Sequence, residues 1–359
     1  MDKPVVAVLF GGRSSEHSIS SATAGGVLRA IDRDRYRVIP VGVTRGGAFV
    51  LEDDDPDKFA LDPEHLPEVS DNGTRVLWPE AAGERRMRVR TADGSIEDLG
   101  DVDVVLPILH GSHGEDGTIQ GFFDTLDLPY AGAGVIDSAV CMDKHFMKVA
   151  LRGAGVPVSP GITVRKAEAD AASVVAAMGD APLPWFVKPA RAGSSVGVSK
   201  VHSADELDEA LRIAFAEDDK VLVEQGVVGR EVEVGVLEGR AGSPARASLP
   251  GEIVLSGREF YDFEGKYLGG DGVEVVCPAD MSDADIAAVQ EMALRAFAAV
   301  DGRGLARVDF FLSADGPVVN ELNTMPGFTP ISMFPKCWIA SGMTYPELIS
   351  DLIETALAR

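Results

Sequence analysis

The sequence predicts a mixed chain of α/β to α+β class, and three observations carry that expectation. β-rich apolar runs alternate with helical periodicity early in the chain, which is the rhythm of a parallel sheet covered by helices. Later strands follow one another with fewer helices between them and end in a hairpin signal at residues 307–323. The 359 residues, 45% of them hydrophobic, suffice for two or three domains with separate cores.

Taken in order, a first strand is expected at residues 5–10, a helix at 16–30, a strand at 36–44, another at 102–109 and a helix at 118–125. Between them, residues 52–75 are acidic and carry prolines, which suits a surface excursion. Residues 137–152 read as one helix stopped by Gly153, with Pro157 and Pro160 marking an extended exit. A strand at 185–188, a Gly/Ser loop and a second β-rich run at 196–201 follow. Ser203-Ala204-Asp205-Glu206 then has the form of a capping box opening a helix. From Val221 onward come several strands, a helix over 283–300 begun by Ser282, and the hairpin. The shifts in pattern divide the chain into units 1–133, 134–220 and 221–359.

Composition excludes several classes of function. A formal charge of −24 disfavours nonspecific contact with nucleic acid or anionic lipid, which need clustered Lys and Arg, so any anionic ligand must be held by local cations. Every apolar run is cut by Gly, Pro or charge well short of the roughly 20 residues of a membrane helix. The run at residues 5–10 has neither a basic segment before it nor a small-residue cleavage site after it, so no export signal is expected. Cys141, Cys277 and Cys337 form no Cys-x-x-Cys pair, which indicates neither a zinc site nor a disulfide framework and fits a reducing cytoplasm.

The hairpin is the most informative constellation. Arg307-Val308-Asp309-Phe310-Phe311-Leu312-Ser313 meets the turn signal Ala314-Asp315-Gly316 and returns to Asn323. A three-residue loop with Gly316 left-handed would set Asp309 opposite Glu321 and Arg307 opposite Asn323, all on one face. Opposed carboxylates with Cβ atoms about 5 Å apart repel unless a cation lies between them. A divalent ion such as magnesium, with hard oxygen ligands, would answer that repulsion, as would a solvated acidic edge neutralised by Arg307.

A second constellation is Phe186-Val187-Lys188-Pro189-Ala190-Arg191-Ala192-Gly193-Ser194-Ser195-Val196-Gly197. A lysine at a strand end followed by a small-residue loop places a cation and backbone N–H groups where a polyphosphate could lie, although such loops also serve as plain turns. The same stretch matches Gly-x-Ser-x-Gly with Ser195 central. A nucleophile elbow needs a helix next, however, whereas 196–201 reads as strand, and no acid-then-histidine order follows. A third run, 221–231, carries Glu224 and Glu231, which could accept from an adenine amine and from ribose hydroxyls or simply be surface carboxylates. Gly11-Gly12-Arg13-Ser14-Ser15-Glu16-His17 follows the first strand, and Leu109-His110-Gly111-Ser112-His113-Gly114-Glu115-Asp116-Gly117 follows another. Both lie where open α/β sheets place ligands, and neither has the dinucleotide fingerprint.

Together these pieces resemble the ATP-grasp superfamily and, within it, the D-alanine–D-alanine ligases. The resemblance spans nearly the whole chain. It rests on Gly11-Gly12 with Ser15 to Ser20, His110-Gly111 through Gly121, Met142-Asp143-Lys144, Lys188-Pro189 with Gly193 to Gly197, Phe260-Tyr261-Asp262 through Lys266-Tyr267, and Asn320 to Thr324 with Pro326-Gly327. It implies an N-terminal Rossmann-like domain before a two-part ATP-grasp fold. The implied activity is ATP-dependent ligation of two D-alanine molecules through a D-alanyl phosphate, for peptidoglycan precursors, by a cytoplasmic homodimer. ATP would lie between the central and C-terminal units, with Lys144, Lys188 and Ser195 at its phosphates, Glu224 at the base, Glu231 at the ribose, Lys266 at the γ-phosphate and Phe260 on the adenine. Asp309, Glu321 and Asn323 would hold two magnesium ions, for which manganese can substitute. Glu16, Ser194 and Tyr267 would form a triad at the first D-alanine, with His110 near its carboxylate. Arg307 and the Gly327 backbone would stabilise the oxyanion, and Ser332 would meet the second substrate. Residues 256–272 are expected to close as a lid that excludes water from the acyl phosphate. Tyr267 favours a dipeptide over the depsipeptide of the related D-alanine–D-lactate ligases. The alternative of another class is a nucleotide-binding regulator without catalysis.

Overall fold

The computed structural model describes residues 3–62, 65–255 and 272–359. The continuous apolar run at its start makes β1 (Val5–Gly11), buried along its whole length as a strand with both faces covered should be. Helix α1 (His17–Ala30) carries the chain over to β2 (Arg37–Val43), parallel to β1, and β3 (Phe49–Leu51) adds an antiparallel edge. Strands β4 (Arg75–Leu77), β5 (Arg86–Arg90) and β6 (Ile96–Asp101) form a small antiparallel sheet of their own. β7 (Val104–Pro107) then returns beside β1, giving the order β3-β2-β1-β7 before helix α2 (Thr118–Thr125).

Residues 52–75 are more than a surface excursion. Phe59 and Val69 are buried, the Phe59 ring sits edge-on to Phe10 at 4.8 Å, and the Val69 amide donates to His17 Nε2 at 3.0 Å. Asp53, Asp54, Asp55, Asp57 and Glu68 stay outside while Glu52 turns in to pair with Lys58, so no periodicity betrays the positions that turn inward. The helix expected over 137–152 is two helices, α3 (Val135–Met142) and α4 (Lys144–Gly153). Asp143 breaks it: its backbone is extended, and its carboxylate accepts from the His145 and Phe146 amides at 3.1 and 3.3 Å, starting α4 afresh.

The second sheet, in the order β10-β9-β11-β8, is antiparallel throughout. It comprises β8 (Gly161–Arg165), then, after α5 (Ala171–Met178), β9 (Trp185–Pro189), β10 (Ser199–Val201) and, after α6 (Leu207–Glu217), β11 (Lys220–Gln225). Val174, Leu207, Leu211 and Phe215 of its helices pack on Val187, Val221 and Val223. The capping box expected at Ser203 does not form. A 3-10 turn occupies residues 204–206, and Glu206 accepts instead from the His202 amide at 2.8 Å.

A third sheet contains β12 (Arg230–Leu237), β13 (Arg246–Ala247), β14 (Gly251–Leu255) and β15 (Val273–Val276). It is completed, after α7 (Asp283–Ala299), by β16 (Leu305–Ser313) and β17 (Gly316–Asn323), in the order β15-β14-β12-β16-β17 with β13 beside β12. The expected start of α7 is found, with the Ser282 hydroxyl accepting from the Asp285 amide. Helices α8 (Met333–Ala340) and α9 (Tyr345–Leu357) end the chain by packing back on its beginning. Phe334, Trp338, Leu348, Ile349 and Leu352 share one core with Val27, Leu28, Leu106 and Ile108. Cys277 and Cys337, distant in sequence, bring their sulfurs to 3.7 Å as free thiols. Among the described residues no helix is long and apolar enough to cross a membrane.

Candidate active site

The hairpin reaches the expected register by an unexpected route. Its loop has two residues, with Ser313 pairing Gly316, and that register alone would set Asp309 against Asn320. A bulge next to Asp309 takes Asn320 out of the ladder, so that Asp309 faces Glu321 and Arg307 faces Asn323. The displaced Asn320 accepts from Lys188 Nζ at 3.3 Å. Arg307 grips both oxygens of Asp309 at 2.7 Å each and lies 2.9 Å from Glu233 on β12, while the Asn323 amide donates to Asp309 at 3.0 Å. Burial works against the Arg307 charge, but Asp309, Glu233 and Glu321 outweigh it and raise the guanidinium well above its ordinary range.

The cations at the loop of the second constellation come from two elements, one of them outside it. Lys188, on β9, lies 2.7 Å from Glu224 on the neighbouring β11. Lys144 is the first residue of α4. Its amide donates to the Ala190 carbonyl, and its ammonium donates to Ala192 O at 2.8 Å and stands 3.3 Å from Glu321. The loop is pinned from behind by Arg191, whose amide and guanidinium both donate to Asp218. Within it Ser194 and Ser195 hold φ of +50° and +58°, a left-handed conformation uncommon for residues with a side chain and typical of strained functional loops.

The N-terminal loops converge on the same place. Gly11 leaves β1 at φ +92°, where a Cβ would lie 2.4 Å from the Val43 carbonyl oxygen, and this turn delivers Glu16 to the head of α1. Ser194 donates to Glu16 at 2.9 Å across the gap between the first and second sheets. His110 is buried, its Nδ1 3.0 Å from the Met325 carbonyl oxygen and 3.8 Å from Glu115. Burial alone would lower its pKa, but Glu115, Glu16 and that carbonyl together raise it above 6.5.

Two adjoining cavities result. The larger, about 240 Å³, is lined by Lys144, Lys188, Ser195, Glu224, Glu231, Asp309 and Glu321, with Phe186 and Phe311 among its apolar walls. The smaller, about 90 Å³, is lined by Glu16, His110, Ser194, Arg307, Asn323 and Gly327. Lys144, Gly193, Ser194 and Glu321 belong to both linings, so the two spaces share a wall of cation, loop and carboxylate. Ser332 is in neither lining. It stands at the head of α8, with its hydroxyl 2.7 Å from that of Thr329. Phe260, Lys266 and Tyr267, with the expected lid around them, lie outside the described residues.

Sequence reasoning gave no role to Lys148, Glu233, Glu115 or Asn320, all of which touch site residues. Lys148 had a signal, since it follows Lys144 by one helical turn. Glu233 had none, because its partner Arg307 lies on another strand. Among the described residues no three His, Cys, Asp or Glu side chains come together as a metal cluster. The donor set at the hairpin is two carboxylates and an amide, hard oxygens of the kind magnesium takes along with substrate phosphates, so these residues fit that ion.

Comparisons with known proteins identify the family. Residues 5–133 match the family model for the D-ala D-ala ligase N-terminus, and residues 150–354 match that for the D-ala D-ala ligase C-terminus. The D-alanine--D-alanine ligase of Arthrobacter sp. is 51% identical, covering 99% of this chain and 95% of the relative. The D-alanine-D-alanine ligase from Coxiella burnetii superposes with a TM-score of 0.82 at 34% identity, covering 99% of this chain and 94% of that one. The VanG D-Ala:D-Ser ligase from Enterococcus faecalis gives the same TM-score at 30% identity, covering 99% of this chain and all of that one.

Proposed function

The chain belongs to the D-alanine–D-alanine ligase family, and from that premise we propose how its own residues join two D-alanine molecules with ATP to make a peptidoglycan precursor. The observation that supports this reading best is the pair of cavities with a common wall. A nucleotide in the larger one would present its terminal phosphate across Lys144 and Glu321 to an amino acid in the smaller one.

In this reading Lys144, Lys188 and the loop at Ser195 take the phosphates, and Glu224 and Glu231 take base and ribose. Phe260 and Lys266 complete the nucleotide site from outside the described residues. The first D-alanine lies with its ammonium at Glu16 and its carboxylate near His110, while Ser194 and Tyr267 complete the Glu16 network. Its carboxylate oxygen attacks the γ-phosphorus and displaces ADP, giving an acyl phosphate. The neutral amine of the second D-alanine, placed with help from Ser332, then attacks the acyl carbon. Arg307 and the Gly327 backbone meet the oxyanion, and inorganic phosphate leaves as the peptide bond forms. Asp309, Glu321 and Asn323 are the residues to hold two magnesium ions, or manganese in their place, which would neutralise charge on the transferred phosphoryl group. The setting is the cytoplasm, and the working form a homodimer.

The test is phosphate release from ATP and magnesium with D-alanine, with L-alanine, and with D-alanine plus D-lactate or D-serine, the products being identified by mass. D-alanine-dependent release with the dipeptide as product is expected. A depsipeptide or a D-alanyl-D-serine product in the mixed samples at neutral pH would move the specificity to that acceptor. ATP binding without turnover on any of these would refute ligation. In the same assay Asp309→Asn should lower kcat at least about a hundredfold in a folded chain, and retained turnover would refute the metal assignment.

A further inference from the structure

Lys148 lies behind the larger cavity without lining it. It projects from α4 one turn after Lys144, and its ammonium is ion-paired with one oxygen of Glu224, whose other oxygen is 2.7 Å from Lys188. The three side chains are nearly closed to solvent, at 1% exposure for Lys148, 3% for Glu224 and 12% for Lys188. Two cations therefore share one buried carboxylate. A further charge acting on Lys148 is Glu321 of β17, and Asn320 of the same strand takes a hydrogen bond from Lys188. Lys144, on the same face of α4, is turned away toward Ala192 and Glu321.

A nucleotide entering the cavity needs Lys188 for its phosphates, and Lys188 can go only by leaving Glu224. A buried carboxylate stripped of its cation is costly, so a lysine whose departure exposed one would be held in place. Lys148 removes that obstacle, being fixed on the far side of Glu224 where no ligand reaches it. We infer that Lys148 is a positioning residue for nucleotide binding, the permanent counter-charge of Glu224 that frees Lys188 to exchange a carboxylate for a phosphate. This rests on the reading that ATP occupies the larger cavity.

The electrostatics support the exchange. Burial, helped by the charge of Lys188, pulls Lys148 down to about 8 against the attraction of Glu224. Burial would push Glu224 up, but Lys188 and Lys148 reverse it to about 2. When Lys188 turns to the nucleotide, its repulsion is withdrawn and Lys148 has Glu224 to itself, so the pKa of Lys148 rises on binding. Binding then takes up a proton. Below about 8 Lys148 is charged in both states and affinity is insensitive to it, whereas above that value affinity falls, by up to about tenfold per pH unit.

The experiment measures ATP affinity of the full chain by calorimetry with magnesium and without D-alanine, which removes the amine titration of the substrate. The range from about pH 7 to about 9.5 lies above the last phosphate ionisation. Wild type should weaken about tenfold or more toward the alkaline end, and Lys148→Arg, whose guanidinium stays charged, should bind within about threefold of wild type at pH 7 and lack that extra slope. Lys148→Met should weaken binding about tenfold or more already at pH 7. Equal slopes in wild type and Lys148→Arg would overturn the inference, and that comparison decides the matter even if Lys148→Met does not fold. Lys188→Ala separates the two levels. If it weakens ATP while both Lys148 variants are silent, only this inference fails, whereas unchanged affinity in Lys188→Ala would mean that the cavity is not the ATP site.

Discussion

At the scale of single residues, the site is built from charges whose burial is tolerated only because each has a partner. Arg307 has Asp309 and Glu233, Lys188 has Glu224, and His110 has Glu115 beside it and the Met325 carbonyl against its ring. His110 gives the most direct check on that principle. Its folded pKa lies above 6.5, so its protonation favours the folded state. That stabilisation is fully present below about 6.5 and is lost as pH rises through the folded value. The difference in Tm between wild type and His110→Gln should therefore be widest in mildly acidic solution and shrink toward alkaline pH. A gap that stays constant or widens with pH would show that the Glu115 pairing does not outweigh burial.

At the scale of elements, the placement of each side chain follows from where helices and strands begin. Asp143 starts α4 as its N-cap and, at the same time, is ion-paired with the buried Lys220, which lies over the Phe146 ring. The two roles are separable. Asp143→Asn keeps an N-cap acceptor and strands Lys220, a loss of about 3 kcal/mol or more. Asp143→Ala should lose about 1 kcal/mol beyond that, through the cap. Chemical denaturation of both variants reads the two steps, and equal stability of the Asn variant and wild type would mean that the ion pair contributes nothing. Much at this scale was legible. The strand–helix rhythm at the start, α2, the Ser282 start of α7 and the hairpin are all local patterns of period and cap. What was not legible depended on competition between local signals or on contacts across the chain. Asp143 reads equally as a helical residue or as a cap, Ser203 has the letters of a capping box but yields to a 3-10 turn, and the bulge at Asn320 leaves no mark on an alternating strand. The facing of Asp309 and Glu321 was anticipated from a loop that does not exist, and it holds because the bulge offsets the shorter turn.

At the scale of the molecule, the two ends of the chain share one core, and no periodicity could announce that. Leu348, Ile349, Leu352 and Ile353 of α9 are all but inaccessible, packed in the core that also holds Val27, Leu28 and Leu106. Burial of each aliphatic side chain is worth about 1.5–3 kcal/mol, so the four together contribute about 6–12 kcal/mol, comparable with the about 5–15 kcal/mol net stability of a typical domain. Ion pairs from Arg240 and Arg246 to Asp351 clamp the same helix against the third sheet, so α9 bridges units far apart in sequence. The N-terminal loops that carry Glu16 and His110 are thus held against the hairpin and the Met325 loop by the last turns of the chain, which is how a site assembled from three sheets keeps its distances. A chain ending at Met343 should accordingly lose its cooperative thermal transition, whereas Leu348→Ala, removing one of the four side chains, should keep a single transition at a Tm lowered by the equivalent of about 2–5 kcal/mol. If the truncated chain still melted cooperatively near the wild-type temperature, the N-terminal sheet would have to close its own core, and the coupling of Glu16 to Ser194 would need another support.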